Sequence, residues 1–500
     1  MIQRLLMDAL LTPLAWLRRT VELRPNGYAL FMAPQLQDLL ERISLIRVRG
    51  LFEKAAAECP AYARFLQAEG YVRQGHWTLA SVPISTKTNY VKRYTIEERC
   101  FGGRITGAGS VLDESSGSSG LPNNWVRNAS ERKDVSRILR LSYGLIYGDP
   151  RRILLNCFAL GPWATGMHVS MSLADVGILK SLGPDVSKLE NTLLTFGPGY
   201  RYLVFGYPPF VKSFVDQTSL DLSTYHIDLV VGGEGISESL REYLLRHFHS
   251  VISSYGASDL EINIGVETEW TIALRALCSR QPGLCERLFG RDTPPMIFQY
   301  NPLDYHIETL DNGELVFTIC RASGAAPKIR YNLRDEGGTY RFRDLLSRLR
   351  EAGLDPRTLA GRFGHFPVLF LFGRSDLTVA FFGAKIYPAD LESTLLNHPK
   401  LARAIHSFQF SSEEDAAVNR RLKIELELAE GVAAEAIGLS TSALGDVFYQ
   451  GIARSNQDFR EVSRMFTAEA IQVALHPKGT HCFEGSDIRL KRQYVKPANA

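Results

Sequence analysis

Apolar residues recur along the chain with two different spacings, and the change between them indicates how it is organised. In residues 1 to 80 they recur at helical intervals, for example at Leu36, Leu40 and Ile43. From Arg152 onward, short apolar runs such as 153–155 are typical of strands in the interior of a sheet. The pattern therefore predicts a helical N-terminal extension, residues 1–80, followed by an α/β fold.

One stretch predicts a strand, a helix and a second strand in succession. The apolar run 227–231 ends in two glycines, Ser237 is a favourable N-cap for the helix that follows, and 251–255 is again extended. Such a βαβ unit binds ligands at the carboxyl ends of its parallel strands. The residues at these two ends are Gly233, Glu234, Tyr255 and Gly256.

The pattern changes again further along. The turn sequence Asp-Asn-Gly at 311–313 separates two extended stretches and predicts a β-hairpin. Beyond Gly373 the spacing predicts a small α+β unit, with a helix that begins at Pro388 and a strictly alternating strand at 422–428. We therefore predict a large N-terminal α/β domain of mixed sheets and helices, residues 1–375, and a small mobile α+β domain, residues 376–500.

Composition restricts the classes of protein that this chain can belong to. Its 500 residues, 45% of them hydrophobic, can bury a large core. Lys and Arg number 57 against 54 Asp and Glu, a net charge of +3, so we expect no nucleic-acid partner. The seven cysteines are scattered without a CxxC pair, which favours a reducing cytoplasmic location and argues against a zinc site.

The sequence also predicts that the chain has no transmembrane segment. No apolar run approaches the ~20 residues that a spanning helix needs. An apolar stretch at 5–17 with flanking arginines is faintly similar to a signal peptide, but Asp8 and Pro13 interrupt it and no small-residue cleavage site follows. We favour a helix packed on its own domain over a membrane-surface anchor as the explanation of this stretch.

A run rich in serine and glycine precedes the predicted sheet. Its members are Ser115, Ser116, Gly117, Ser118, Ser119 and Gly120. Flexible backbone with several N–H donors and hydroxyls can wrap phosphate oxygens. The run is not a GxxxxGK[ST] loop, because no lysine follows in register, and a solvated linker explains it equally well.

Five more short motifs follow this run in order. They are GGE at 232–234, YGASD at 255–259, YNLRD at 331–335, GRSD at 373–376 and GAKIYP at 383–388. The series resembles the adenylate-forming enzymes that include the acyl-CoA synthetases, and within them the phenylacetate-CoA ligase branch. Each motif alone is weak, but six in the family's order form a strong signal over residues 110–400.

The resemblance implies an activity. Such enzymes use ATP to convert a carboxylic acid into an acyl-adenylate and then pass the acyl group to an acceptor, in this branch usually coenzyme A. An amine or a carrier-protein thiol as acceptor remains open. So does a degenerate relative that binds a nucleotide without turnover, because the sequence departs from the family at two positions described below.

The resemblance also implies roles for individual residues. The loop 115–120 holds the ATP phosphates, Tyr255 and Gly256 line the adenine pocket, and Gly233 and Glu234 lie against the acyl group and adenine. Asp259 is implied as the catalytic acid that holds Mg²⁺, although it is one methylene shorter than the usual Glu, with Glu261 as a second candidate. An ordinary acid at a strand end is the alternative interpretation.

Further roles concern the ribose, the hinge and the acyl pocket. Asp335 is implied as the acceptor for the ribose hydroxyls, with Arg334 where the family commonly has Gly. Arg374 is implied as a ribose or hinge contact and Asp376 as the pivot of the small domain. Phe158 and Trp163 resemble residues beside the carboxylate substrate, although single aromatics are more often part of the core.

The family brings a catalytic lysine from the small domain to the α-phosphate, commonly as Gly-Lys. Here Gly485 is followed by serine, so the candidates are Lys478, Lys491 and Lys496. We choose Lys491, because a basic residue and an apolar strand end follow it as in the family, whereas Lys496 lies where chains usually fray. A solvated basic terminus is the alternative.

Overall fold

We describe a computed structural model, which covers residues 31–73, 76–115, 123–291, 293–361, 364–374 and 378–484. The strands are β1 Val111–Ser115, β2 Asn123–Arg127, β3 Ile153–Asn156, β4 Ile178–Ser181, β5 Arg201–Gly206, β6 His226–Gly232, β7 Ser250–Tyr255, β8 Gly265–Val266, β9 Met296–Gln299, β10 Tyr305–Thr309, β11 Glu314–Ile319, β12 Tyr331–Tyr340, β13 Val368–Arg374, β14 Val379–Phe381, β15 Ala384–Ile386, β16 Ile405–Glu414, β17 Arg420–Leu428 and β18 Ile471–His476. The helices are α1 Gln37–Glu58, α2 Pro60–Ala68, α3 Ala129–Ile146, α4 Ala164–Leu173, α5 Val186–Phe196, α6 Pro208–Gln217, α7 Glu238–Leu244, α8 Glu269–Arg280, α9 Leu284–Phe289, α10 Phe342–Glu351, α11 Pro388–Leu396, α12 Pro399–Ala404, α13 Thr441–Ser455 and α14 Gln457–Val462.

An 11-stranded mixed sheet organises the large part of the chain, in the order β10-β11-β12-β13-β9-β8-β7-β6-β5-β3-β4. Strands β4, β3, β5, β6 and β7 form a parallel block. The remaining neighbours pair antiparallel. The α/β fold expected from the sequence is confirmed, and the carboxyl ends of the parallel strands share one edge.

The predicted βαβ unit forms as its local sequence dictates. Strands β6 and β7 pair in parallel, with Val230 opposite Ile252. The hydroxyl of Ser237 caps α7 by accepting a hydrogen bond from the backbone N–H of Leu240. The hairpin prediction is also confirmed, since β10 and β11 pair antiparallel across the turn at 311–313.

The N-terminal helices join the core of the large sheet. Leu51 and Phe52 of α1 and Tyr62 and Phe65 of α2 are buried in the same apolar cluster as Leu154 of β3. Burial of such side chains stabilises by about 1.5–3 kcal/mol each, so α1 and α2 belong to the body of the large unit. Residues 1–30, and with them the apolar stretch at 5–17, lie outside the described residues.

The small unit has its own sheet and its own core. Its sheet has the order β16-β17-β18, and β18 joins β17 in parallel, a pairing that the sequence did not reveal. The alternating apolar residues of β17, Leu422, Ile424 and Leu426, pack against Leu444 and Phe448 of α13. The domain boundary predicted near 373–376 falls beside residues 375–377, which lie outside the described residues.

Every helix within the described ranges is too short or too polar to cross a membrane.

Candidate active site

A cavity of about 360 Å³ lies between the sheet edge of the large unit and the small unit. Its walls include residues that the sequence singled out, namely Trp163, Gly233, Glu234, Tyr255, Gly256, Asp335 and Arg374. The small unit contributes Gly383, Ala384 and Lys385 from the β14–β15 hairpin, with Asp458 and Glu461 from α14. Both units are therefore needed to form this cavity.

Tyr255, Asp335 and Arg374 meet on one wall of the cavity. The antiparallel register of β12 and β13 places Asp335 opposite Arg374, and Tyr255 ends β7. The Tyr255 hydroxyl donates to Oδ2 of Asp335 at 2.5 Å, and Nη1 of Arg374 lies 3.2 Å from Oδ1. Burial and the Asp335 carboxylate hold the pKa of Tyr255 well above its usual range. Asp335 is thus an oriented acceptor with lone pairs left for a ligand.

The residue before Asp335 adopts an uncommon backbone conformation. Arg334 has φ of 66°, in the left-handed region that favours glycine. Its N–H is held by Oδ1 of Asn332 at 2.6 Å. In the adenylate-forming enzymes that the sequence resembles, glycine is common at this position. The left-handed backbone gives a physical reason for that preference.

Tyr207 separates the two units at the cavity. A Cβ at Gly233 would lie 2.7 Å from Cε1 of Tyr207, and one at Gly383 would lie 2.4 Å from the same atom. Both glycines also have positive φ, 84° and 86°. Phe158 lies one layer back and packs edge-on against Tyr207, with ring centroids 5.1 Å apart. The close approach of the two units in this pose therefore requires glycine at both positions beside this ring.

Glu234 lies at the contact between the units. Its Oε2 accepts a hydrogen bond of 3.1 Å from the backbone N–H of Gly383, and Arg420 of β17 lies 3.7 Å from Oε1. Burial raises the pKa of Glu234, although Arg420 opposes that effect. Lys212 of α6 donates to Asn419 of the small unit at 3.1 Å. These contacts hold the small unit in its observed pose.

Lys385 is a cavity residue whose importance the sequence motif alone did not show. It lies in β15 and faces the cavity from the small unit. Burial and the nearby charge of Arg374 lower the pKa of Lys385 to about 8. The ammonium form of Lys385 is therefore lost as the pH rises through about 8.

Asp259 lies beneath the cavity wall. It is 3% exposed, Lys87 lies 3.5 Å from its Oδ2, and the Tyr331 hydroxyl donates to the same oxygen at 3.0 Å. Mg²⁺ bound to a nucleotide commonly takes one carboxylate together with waters and phosphate oxygens, so Asp259 is chemically suited to that role. Glu261 is instead occupied by Arg321 and the Tyr305 hydroxyl. Lys87, which no sequence signal marked, adds a cation beside Asp259.

Arg127 connects the hairpin around the Ser/Gly run to the segment that carries Asp259. In β2, Arg127 is fully buried and pairs with Asp113 of β1 at 3.0 Å and with Glu131 at 2.8 Å. Its guanidinium also donates to the carbonyls of Ser258 and Leu260, each at 2.5 Å. The base of the hairpin and the 255–261 segment are therefore fixed relative to each other.

Several predicted site residues lie outside the described residues. These are Ser116, Gly117, Ser118, Ser119, Gly120, Asp376, Lys491 and Lys496, and the side chain of Ser115. The other lysine candidate, Lys478, is exposed on the small unit and pairs with Glu430 at 3.0 Å. The roles implied for this group remain predictions.

Comparison with known proteins shows the fold of the chain. No protein-family model and no curated protein matches the sequence. A 2-hydroxyisobutyryl-CoA ligase, solved with 2-HIB-AMP and CoA in the thioesterification state, matches with a TM-score of 0.63 and 14% identity over 93% of this chain and 91% of that one. The chain thus has the fold of this CoA ligase.

A second structure of a 2-hydroxyisobutyryl-CoA ligase, in the postadenylation state with R3-HIB-AMP, gives a lower similarity. Its TM-score is 0.51 at 14% identity, over 91% of this chain and 89% of that one. The names of the two comparison structures give different catalytic states. This chain is therefore more similar to the first of these two structures than to the second.

Proposed function

We propose that this chain activates a carboxylic acid with ATP as an acyl-adenylate and then transfers the acyl group to coenzyme A. The observation that carries this proposal is the Tyr255–Asp335–Arg374 cluster on the wall of a cavity that both units form. A carboxyl group with two oriented oxygens suits the paired hydroxyls of a ribose. The adenylate-forming fold supports the same conclusion.

In the first half-reaction, a carboxylate oxygen of the acid attacks the α-phosphorus of ATP and pyrophosphate leaves. Asp335 holds the ribose, while the Ser/Gly run from Ser115 to Gly120 wraps the leaving phosphates. Lys87 places an ammonium group beside Asp259, and Lys491 approaches the α-phosphate. Mg²⁺ held at Asp259 would neutralise the phosphates further.

In the second half-reaction, the small unit rotates about Asp376 and presents the β14–β15 hairpin to the cavity. The thiolate of coenzyme A attacks the acyl carbonyl, and AMP leaves with the electron pair of the broken C–O bond. The contacts of Glu234 and Tyr207 with Gly383 support this pose as the one used for transfer. The greater similarity to a thioesterification state supports it as well.

The walls of the cavity favour an acid with an apolar or aromatic acyl group. Trp163, Tyr207 and Phe298 supply ring surfaces, with Phe158 packed behind Tyr207. Apolar walls with a few convergent polar groups are typical of small-molecule sites. This composition is compatible with the phenylacetate-CoA ligase-like branch, which we propose on the motif order.

An amine acceptor is the second candidate. Glu114, Asp458 and Glu461 place three carboxyl groups along the cavity. Carboxylates attract an ammonium group and repel the phosphates of coenzyme A. An acceptor that enters along these three side chains is therefore favoured when it is cationic. A carrier-protein thiol would reach the same carbonyl through a similar approach.

We also propose a cytoplasmic location. The structure joins none of the seven cysteines in a disulfide, and six of them are buried. Thiols persist in reducing compartments, whereas oxidising ones favour disulfides.

A screen of carboxylic acids tests the proposal. Purified chain, MgATP and each acid are incubated alone, with coenzyme A, or with a panel of amines, while pyrophosphate release and product mass are measured. We expect pyrophosphate release that depends on one class of acid and a thioester only in the coenzyme A arm. Formation of an amide in the amine arm would show that an amine, and not coenzyme A, is the acceptor. Absence of acid-dependent pyrophosphate release in every arm would exclude the activity.

A further inference from the structure

Two histidines and a glutamate meet on the small unit, on the sheet face opposite its core. Glu425 lies in β17 on the side away from Leu422 and Ile424, His476 ends β18, and His481 stands in the turn that follows. Nε2 of His476 lies 2.5 Å from Oε2 of Glu425. One ligand atom from each of the three side chains lies within 4.8 Å of the other two.

The backbone and the neighbouring contacts fix His481 in this cluster. Its φ of 56° is in the left-handed region, which costs free energy for a residue with a side chain. The His481 ring stacks on His476 with centroids 4.5 Å apart and planes 10° apart, so one ring must turn about its side-chain bonds for both to bind the same ion in their ring planes. Gln409 donates to the carbonyl of Cys482 at 3.3 Å, and Phe483 is buried, so the turn is anchored beyond His481.

We propose that Glu425, His476 and His481 bind a divalent transition-metal ion of the zinc class. Two imidazoles with one carboxylate suit zinc, nickel or copper, whereas Mg²⁺ and Ca²⁺ prefer oxygen ligands alone. Three protein ligands leave a coordination position open, and the exposed side of His481 gives water access to it. The site is separate from the cavity and does not depend on the proposed activity.

A bound ion would join two strands and the turn that leads out of β18. It links β17 through Glu425, β18 through His476 and the following turn through His481. Because the ion binds only the folded arrangement, it raises the free energy of unfolding of the small unit.

Zinc binding to the full-length chain tests the site. The protein is purified without a polyhistidine tag, treated with EDTA, desalted and titrated with Zn²⁺ by calorimetry, and Co²⁺ serves as a spectroscopic probe in a parallel sample. We expect one ion per chain, a higher thermal unfolding midpoint, and Co²⁺ absorption bands of a site with nitrogen ligands. His481→Gly should weaken binding at least about tenfold, because it removes one ligand.

The His481→Gly substitution separates loss of the ligand from loss of the fold. Glycine favours the positive φ at this position, so the metal-free variant should unfold at the same temperature as the wild type or higher. His76→Gly removes an exposed histidine outside the cluster and should bind Zn²⁺ as the wild type does. The proposal is overturned if the wild type binds no ion, or if His481→Gly and the wild type bind equally.

Discussion

The hydroxyl of Tyr255 lies 2.5 Å from Oδ2 of Asp335, so the last residue of one strand orients the carboxylate of another. This pair connects the parallel block of the sheet, through β7, to the antiparallel strand β12. Both residues lie on the cavity wall. We expect both residues to contribute to ATP binding.

Asp335→Ala should raise KM for ATP by about 10–100-fold while KM for the acid changes little. The reason is that hydrogen bonds to a charged acceptor contribute about 1.5–3 kcal/mol. Tyr255→Phe keeps the ring and should give a smaller effect of the same kind. Arg334→Gly serves as a control, since glycine favours the φ of 66° at that position and should leave KM for ATP unchanged. An unaltered ATP dependence in Asp335→Ala would remove this residue from the nucleotide site.

Gly383→Ala should impair acyl transfer and spare adenylation. In the observed pose the new Cβ would lie 2.4 Å from the Tyr207 ring, a distance that real contacts do not reach. The two half-reactions are followed separately, as pyrophosphate release without an acceptor and as thioester formation from supplied acyl-adenylate.

A matched control separates this contact from backbone strain. Gly431 has φ of 76° with no atom within 4 Å of an added Cβ, so Gly431→Ala introduces the strain without the clash. It should support both half-reactions. Equal loss of both half-reactions in Gly383→Ala, or equal behaviour of the two variants, would show that the Tyr207 contact does not belong to the transfer pose.

Binding of AMP should weaken as pH rises through about 8. The pKa of Lys385 is lowered to about 8, mainly by burial, so the ammonium is present below that pH and lost above it. Loss of one cation near the phosphate should raise Kd about tenfold between about pH 7 and pH 9.5. Lys385→Met should bind weakly with a flatter pH profile, and Lys478→Met, on the exposed surface, should behave as the wild type. A steep profile that persists in Lys385→Met would assign the titration to another group.

Arg127→Met should destabilise the large unit strongly. Removing this buried guanidinium leaves Asp113 and Glu131 without one of their cationic partners, and a broken buried ion pair costs about 3–5 kcal/mol. Arg140→Met removes an exposed pair with Asp175 and should cost about 0–1 kcal/mol. Urea denaturation followed by tryptophan fluorescence compares the two variants. Similar midpoints for both would contradict the role of Arg127 as a structural link.

The sequence predicted the fold where local patterns carry the information. The βαβ unit followed from an apolar run, a Ser237 cap and a second run, and all three were found. The parallel pairing of β18 with β17 was not predicted, because it joins segments separated by two helices and depends on tertiary packing. Local spacing does not encode such a partner.

The cavity could be predicted only in part for the same reason. Motifs marked Tyr255, Asp335 and Arg374 as site residues, and the structure brings them together. Lys87 and Tyr207 reach the site through the fold alone. Lys87 stands in an irregular helical turn, and Tyr207 comes after a strand whose apolar run was not singled out. No residue type or spacing marked either of them.

The most direct test of the central claim is exchange of labelled pyrophosphate into ATP, measured with one acid at a time and no acceptor present. Exchange requires reversible formation of an acyl-adenylate, so it isolates the first half-reaction. We predict exchange that depends on the acid and is lost in Lys491→Ala but kept in Lys478→Ala, because an ammonium at the α-phosphate contributes on the order of 3 kcal/mol to the transition state. Absence of exchange with every acid, from a folded protein that binds ATP, would contradict the proposed activity.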